Sequence, residues 1–246
     1  MILLNRHKIT IFLLVSYWIA LIIFAHIQVP DSVRSANISD KALHVLAYLV
    51  LTFFLWFSIK PHEKVKWHKI HVWLVFLIIT GYGAIDEVIQ SFVGRTCDVL
   101  DIAANISGIL LSLFILTFLS FRTAVLLVSA IVIFGITNVT KTNLTDIFPL
   151  ANTTFQLFTY TIFTFFWLLN LNIFFSKKPS PVQWLTQAIG FPACFLIIIL
   201  IFSILAGKDM KLFDMLVPAF TIIAVISIGF LKMIINNSKD ITGNIN

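Results

Sequence analysis

The chain has 246 residues, 59% of them hydrophobic and only 11% charged, with 25 phenylalanines. A soluble core of this size needs a charged surface that this composition does not supply, so a water-soluble globular protein is excluded. The 17 Lys and Arg outnumber the 11 Asp and Glu, but the bases are scattered singly or in short loops. That pattern excludes a nucleic-acid footprint and fits cytoplasmic loops held at an anionic leaflet.

From the N-terminus, the basic "MILLNRHK" leads into "ITIFLLVSYWIALIIFAHI". This run has spanning length, whereas a cleaved signal peptide has a shorter apolar stretch and small residues at the cut. It is expected to be an uncleaved first transmembrane helix. Further apolar runs predict spans at about 41–59, 70–90, 100–119, 123–139, 149–175, 188–206 and 212–235, after the first at 9–27. The expected fold class is therefore all-α, a polytopic membrane helical bundle of about eight transmembrane helices. The shortness of 123–139 leaves seven as the alternative count.

Orientation follows from the distribution of Lys and Arg. With the N-terminus inside, 11 of them fall on the cytoplasmic side and 6 on the other. "KPHEKVKWHKIH" (60–71) contributes most of the bias. Both termini are thus expected in the cytoplasm. The link "HIQVPDSVRSANISDK" and the stretch "DEVIQSFVGRTCDVLD" (86–101) then lie on the extracytoplasmic face.

The second of these holds four of the eleven acids and Arg95. On span two, Lys41, His44 and Tyr48 fall within a sector of about 60°, and Asp40 is placed to cap the helix. On span three, Gly83, Glu87 and Gln90 share a face, with Asp86 one residue off it. A carboxylate inside a bilayer costs roughly 2.5–3.5 kcal/mol unless it finds a partner or water. Glu87 is therefore expected to face the bundle, and Asp86 to sit nearer the headgroups. On span four, Asp98, Asp101, Asn105, Gly108 and Ser112 lie within about 80° of one another. Gly108 and Ser112 form a small-xxx-small pair that admits a neighbouring helix. Such a constellation reads either as a functional site or as a knot in which Lys41 and Arg95 neutralise buried acids.

"DKALHVLAYLVL" together with "DEVIQSFVGRTCDVLDIAANISGIL" resembles the VanZ-like family, named for an accessory teicoplanin-resistance protein. The family pattern is Asp-Lys-x-x-His-x-x-x-Tyr on one span, then Glu-x-x-Gln, an arginine, and Asp-x-x-x-Asn-x-x-Gly on the next. The resemblance covers the first four spans and implies a functional cluster of Asp40, Lys41, His44, Tyr48, Glu87, Gln90, Arg95, Asp101, Asn105 and Gly108. Asp86 and Asp98 adjoin it. Val93 stands where relatives often have proline before Gly-Arg, and Cys97 where they often have glycine. The resemblance implies cell-envelope biology and leaves the activity open.

Residues 121–246 contain no copy of this pattern, which suggests a VanZ-like region at 1–120 and a separate four-span region at 121–246. The threonine-rich "ANTTFQLFTYTIFT" is expected to bond back to its own helix carbonyls, and Pro192 and Pro218 to kink their spans. Cys97 and Cys194 carry no CxxC spacing, so neither a disulfide framework nor a thiolate metal site is expected. His62, His68 and His71 among lysines read as a solvated basic face. The Asn-x-Ser/Thr matches at Asn37, Asn138, Asn143 and Asn152 read as incidental.

Three functions compete. One is binding or protection of a membrane lipid or lipid-linked envelope precursor at the outer leaflet, or tolerance of a teicoplanin-type glycopeptide. Arg95 and Lys41 would attract a phosphate, and Asn105, Gln90 and His44 would hydrogen-bond. Another is an enzyme acting on a lipid-linked phosphate or sugar, the one case in which Mg²⁺ would enter; otherwise no cofactor or metal is expected. A transporter ranks last, because the inner halves of the spans carry almost no ionisable groups.

Overall fold

Inside a bilayer a backbone must satisfy its own hydrogen bonds, so uninterrupted apolar runs become helices. The computed structural model describes residues 2–26, 39–60, 63–92, 98–139, 143–175 and 179–243, the side chains of 2–7, 147 and 236–243 excepted. Among the described residues the helices are α1 (Ile2–His26), α2 (Asp40–Ile59), α3 (Ile70–Phe92), α4 (Val99–Phe118), α5 (Phe121–Asn138), α6 (Leu144–Ile147), α7 (Pro149–Phe174), α8 (Pro181–Leu205) and α9 (Leu212–Gly243). All but the four-residue α6 are long and apolar enough to cross a membrane, eight in total. The chain is an all-α, multi-pass membrane protein.

The helix ends correct two boundary expectations. The seventh span begins at Pro181 and not near 188, because Ser180 and Gln183 form a capping box with proline at the first helical position. The short fifth span is a full helix of 18 residues. Pro192 and Pro218 lie inside α8 and α9, which run through them.

The chain divides into two compact units, Met1–Ala124 and Val125–Asn246. In the first, α2 is the central element: 61% of its spanning window is buried, against 6% for α1. α2 packs most extensively on α4, and the reason is local. A Cβ built on Gly108 would collide with the Val45 carbonyl oxygen and stand 3.0 Å from the Leu49 amide nitrogen. Only glycine lets the two backbones meet there. Ser112, one turn on, is fully buried, so the small-residue pair works as its spacing predicts. α1 joins the unit through the Tyr17 hydroxyl, which donates to the Ala47 carbonyl at 3.0 Å.

At the end opposite the acidic stretch, the basic loop is tied down. The Trp56 indole donates to the Glu63 carbonyl at 2.8 Å, and Lys64 Nζ donates to the Phe118 carbonyl at 2.6 Å. The Val65 amide donates to the Leu116 carbonyl at 3.0 Å. The Glu63 carboxyl is held below the usual carboxylate range by its hydrogen bond from Lys60. His68 is exposed, as a solvated face requires, but the His71 ring packs 5.6 Å from that of Trp56. His62 lies outside the described residues.

The second unit is organised around Phe163, Trp167, Ile133, Ile199 and Ile226, all buried. Trp167 stacks on Phe191 at 4.5 Å. Thr153, Thr154, Thr159 and Thr161 each donate to the carbonyl four residues earlier, as expected of hydroxyls on an apolar helix.

Gly108→Ala should lower stability by about 1–3 kcal/mol through overpacking. Thermal unfolding of the purified protein in detergent measures this, and an unchanged transition would show that α2 and α4 do not depend on the close approach.

Candidate functional site

The C-terminal ends of α1 and α3 and the N-terminal ends of α2 and α4 supply one polar cluster. α2 starts where it does because the Ser39 side chain accepts the Ala42 amide at 3.4 Å. Ser39, and not Asp40, is the cap. This corrects the expectation for Asp40, whose carboxylate instead reaches down the helix to 3.9 Å from His44 Nε2. The serine oxygen, one residue earlier, meets the first free amides, so the Asp40 carboxylate is not required there.

Lys41 Nζ bridges the head of α4, at 3.0 Å from Asp98 Oδ2 and 3.6 Å from Asp101 Oδ1. Asp98 is itself the N-cap of α4, accepting the Leu100 amide at 2.9 Å. That amide first, and the Lys41 ammonium second, hold the Asp98 carboxyl below the usual carboxylate range. Both side chains remain half-exposed. They form the rim.

The rim leads to a buried row. His44 Nδ1 lies 2.9 Å from Asn105 Oδ1 on α4, and His44 Nε2 lies 3.7 Å from Glu87 Oε1 on α3. Glu87 is wholly buried, and neither of its oxygens has a hydrogen-bond partner among the described residues. The Asp98 backbone amide lies near enough to the carboxylate to favour its charged form. Asp101 Oδ1, Asn105 Nδ2, the Tyr48 hydroxyl and Ser112 Oγ are likewise buried without a hydrogen bond among the described residues. Each such group costs about 1–3 kcal/mol. A Cβ on Gly83 would stand 3.1 Å from both Asn105 Nδ2 and the Tyr48 ring, so that glycine makes room for the pair.

Asp86, expected nearer the headgroups than Glu87, is covered by protein. It is 4% exposed, accepts the Gln90 side-chain amide at 2.9 Å, and lies 3.8 Å from His26 Nε2 on α1. Adjacent positions on α3 point about 100° apart, so Glu87 meets α2 while Asp86 meets α1. Both directions are covered by protein. His26 was not singled out in the sequence; its only signal was a polar residue closing an apolar span. Of the expected cluster, Asp40, Lys41, His44, Tyr48, Glu87, Gln90, Asp101, Asn105 and Gly108 gather here, with Asp86 and Asp98. Arg95 and Cys97 lie outside the described residues.

The VanZ/LLP1 family model matches residues 4–122, a span that contains every residue of this cluster. This part of the chain belongs to the VanZ/LLP1 family. No curated protein and no solved structure matches the chain. The family match ends at residue 122, and residues 123–246 lie outside it.

That second part holds a polar group which sequence reading missed. Asp214 on α9 is buried and accepts from the Asn143 side-chain amide, the Thr145 hydroxyl and the Lys211 backbone amide. Lys208, nearby, donates to the Thr137 carbonyl, and burial pushes its ammonium below the usual lysine range. An ion pair to Asp146, through a hydrogen bond, pushes Lys211 the other way. Asn143, Asp214, Lys208 and Thr137 border a cavity of about 20 Å³, enough for one water. The available signal was "GKDMKLFD" (207–214), two acids and two lysines in eight residues, together with Asn143, which read as an incidental sequon.

In the VanZ/LLP1 domain, the folded Asp98 carboxyl titrates below its unfolded value of about 3.9. Its contribution to stability is therefore present above that value and lost as pH falls through the folded one. Thermal unfolding from neutral pH to pH 3 should show Asp98→Asn less stable than wild type at neutral pH. The gap should close below about pH 4; a gap constant with pH would mean that Asp98 contributes no charge-dependent stability.

Proposed function

We propose that the VanZ/LLP1 domain binds the polar headgroup of a cell-envelope lipid or lipid-linked precursor at the extracytoplasmic face, and that this occupancy lowers susceptibility to teicoplanin-type glycopeptides. One observation carries the reading: ionisable and amide side chains from four spans converge at one end of the domain behind a half-exposed rim. The outward placement of that end rests on the excess of Lys and Arg in the opposite loops. Polar groups of this kind inside a membrane point to a site by default.

The rim also narrows the chemistry. Lys41 already carries two carboxylates, so a bare phosphate must displace Asp98 or draw on Arg95. Hydroxyl, amine and amide groups fit better, because Asp40 and Asp98 accept and Lys41 donates at the surface. A sugar- or peptide-bearing headgroup supplies those groups.

An enzyme acting on a lipid-linked phosphate or sugar is the second reading, and one observation favours it. His44 sits between carboxylates from α2 and α3 at 3.9 and 3.7 Å, a setting in which an imidazole can exchange protons.

Two measurements test the binding reading. Reporter fusions should place residues 86–101 outside the cytoplasm; a cytoplasmic location ends it. In a glycopeptide-susceptible host, wild-type protein should raise the inhibitory teicoplanin concentration, and Arg95→Ala or Lys41→Ala at matched membrane levels should abolish the rise. If the variants vanish from the membrane instead, the cluster is a folding knot. Turnover of lipid pyrophosphates by the purified protein would favour the enzyme.

A further inference from the structure

We propose that Asp40, His44 and Asp101, with Glu87 closing from α3, form a binding site for a divalent transition-metal cation of the Zn²⁺ or Mn²⁺ type. Ligand atoms of Asp40, His44 and Asp101 all lie within 4.8 Å of one another. The independent observation is Glu87. This carboxylate is wholly buried, has no hydrogen-bond partner on either oxygen among the described residues, and aims Oε1 at His44 Nε2 from 3.7 Å.

The tautomer of His44 links the two. Asn105 Oδ1, an acceptor 2.9 Å away, requires the proton on Nδ1. In the neutral ring Nε2 then presents a lone pair to the carboxylates of Asp40 and Glu87 at 3.9 and 3.7 Å, and in the imidazolium it presents a second N–H. In the neutral ring, a lone pair facing the buried Glu87 carboxylate is repulsive unless a cation stands between them. A proton on Nε2 would pair with these carboxylates by charge alone, because both distances exceed hydrogen-bond length, whereas a metal ion would be ligated by all three groups. Two ligand atoms on a metal with arms of about 2.0–2.1 Å stand roughly 3.3–3.7 Å apart, which is close to the spacing here. A carbonyl oxygen holding the other nitrogen of a ligating histidine is also how metal sites fix ring orientation.

The donor set decides the class of ion. One imidazole nitrogen with two or three carboxylate oxygens suits Zn²⁺ or Mn²⁺. An all-oxygen, mostly hydrated shell would suit Mg²⁺. Lys41 is the one cation facing this group among the described residues, and it stands on the Asp98 side, bonded at 3.0 Å there and at 3.6 Å to Asp101 Oδ1. Asp40, half-exposed, gives the ion its way in. The site shares residues with the headgroup reading but is measured without any lipid, so either can fail alone.

The test uses full-length protein in detergent with any affinity tag removed. After stripping with a chelator, it is titrated with ZnCl₂ and MnCl₂ by calorimetry and the bound metal is counted by mass spectrometry. The expected result is one ion per chain and a raised unfolding temperature, with Co²⁺ giving a visible ligand-field band. Asp40→Asn, at the half-exposed rim and therefore the variant most tolerant in folding, should weaken binding by about tenfold or more. Asn105→Ala should do so by about 10–100-fold through loss of the tautomer lock. His44→Gln should abolish the Co²⁺ band, and Glu63→Gln, in the loop at the opposite end, should change nothing. Failure of the stripped wild type to bind either ion saturably overturns the proposal, as does equal binding by wild type and Asp40→Asn.

Discussion

The close approach of α4 to α2 at Gly108 is the constraint on which the VanZ/LLP1 domain depends. Membrane helices gain little from burying apolar surface against one another, since lipid is as apolar as leucine, and so they associate where backbones can touch. Gly108 places its Cα against the backbone at Val45 and Leu49. One turn toward the cluster, the same register brings Asn105 into hydrogen-bond contact with His44. Another turn brings Asp101 and Asp98 to Lys41. A glycine that contributes no chemistry therefore sets the distances among the groups that do.

Two buried acids in the chain show how a structural polar group differs from a poised one. Asp214 receives a side-chain amide, a hydroxyl and a backbone amide, which together meet most of what a carboxylate needs. That is what a knot looks like: desolvation is offset by donors built into the fold. Glu87 is at least as deeply buried and, among the described residues, has no hydrogen-bond donor in place on either oxygen. Facing it are the Asp98 amide and, at 3.7 Å, an imidazole nitrogen of His44. The contrast supports function over packing for the first cluster, and packing over function for the second.

Much of this was legible in the sequence. Periodicity placed Lys41, His44 and Tyr48 on one side of α2, and Asp101, Asn105, Gly108 and Ser112 on one side of α4; all but the rim lysine are buried together. Hydropathy located the eight spans. Errors fell where two local options were close in energy. Ser39 and Asp40 are both capping residues, and only the helix start distinguishes them. Asp86 sits one residue off the Glu87 face, and its burial depends on α1 supplying His26 and on Gln90 supplying an amide.

By itself, then, the sequence determined the membrane class, the number of spans and the face each polar residue occupies, because these follow from chain-local hydrophobicity and a fixed helical period. Only the tertiary structure decided which acids are satisfied and which are not. The partners of Asp86, Glu87 and Asp214 come from helices distant in the chain, and no local pattern encodes which helix ends will meet. The same holds for His44: that its Nε2 is turned toward Asp40 and Glu87 follows from Asn105, 61 residues away.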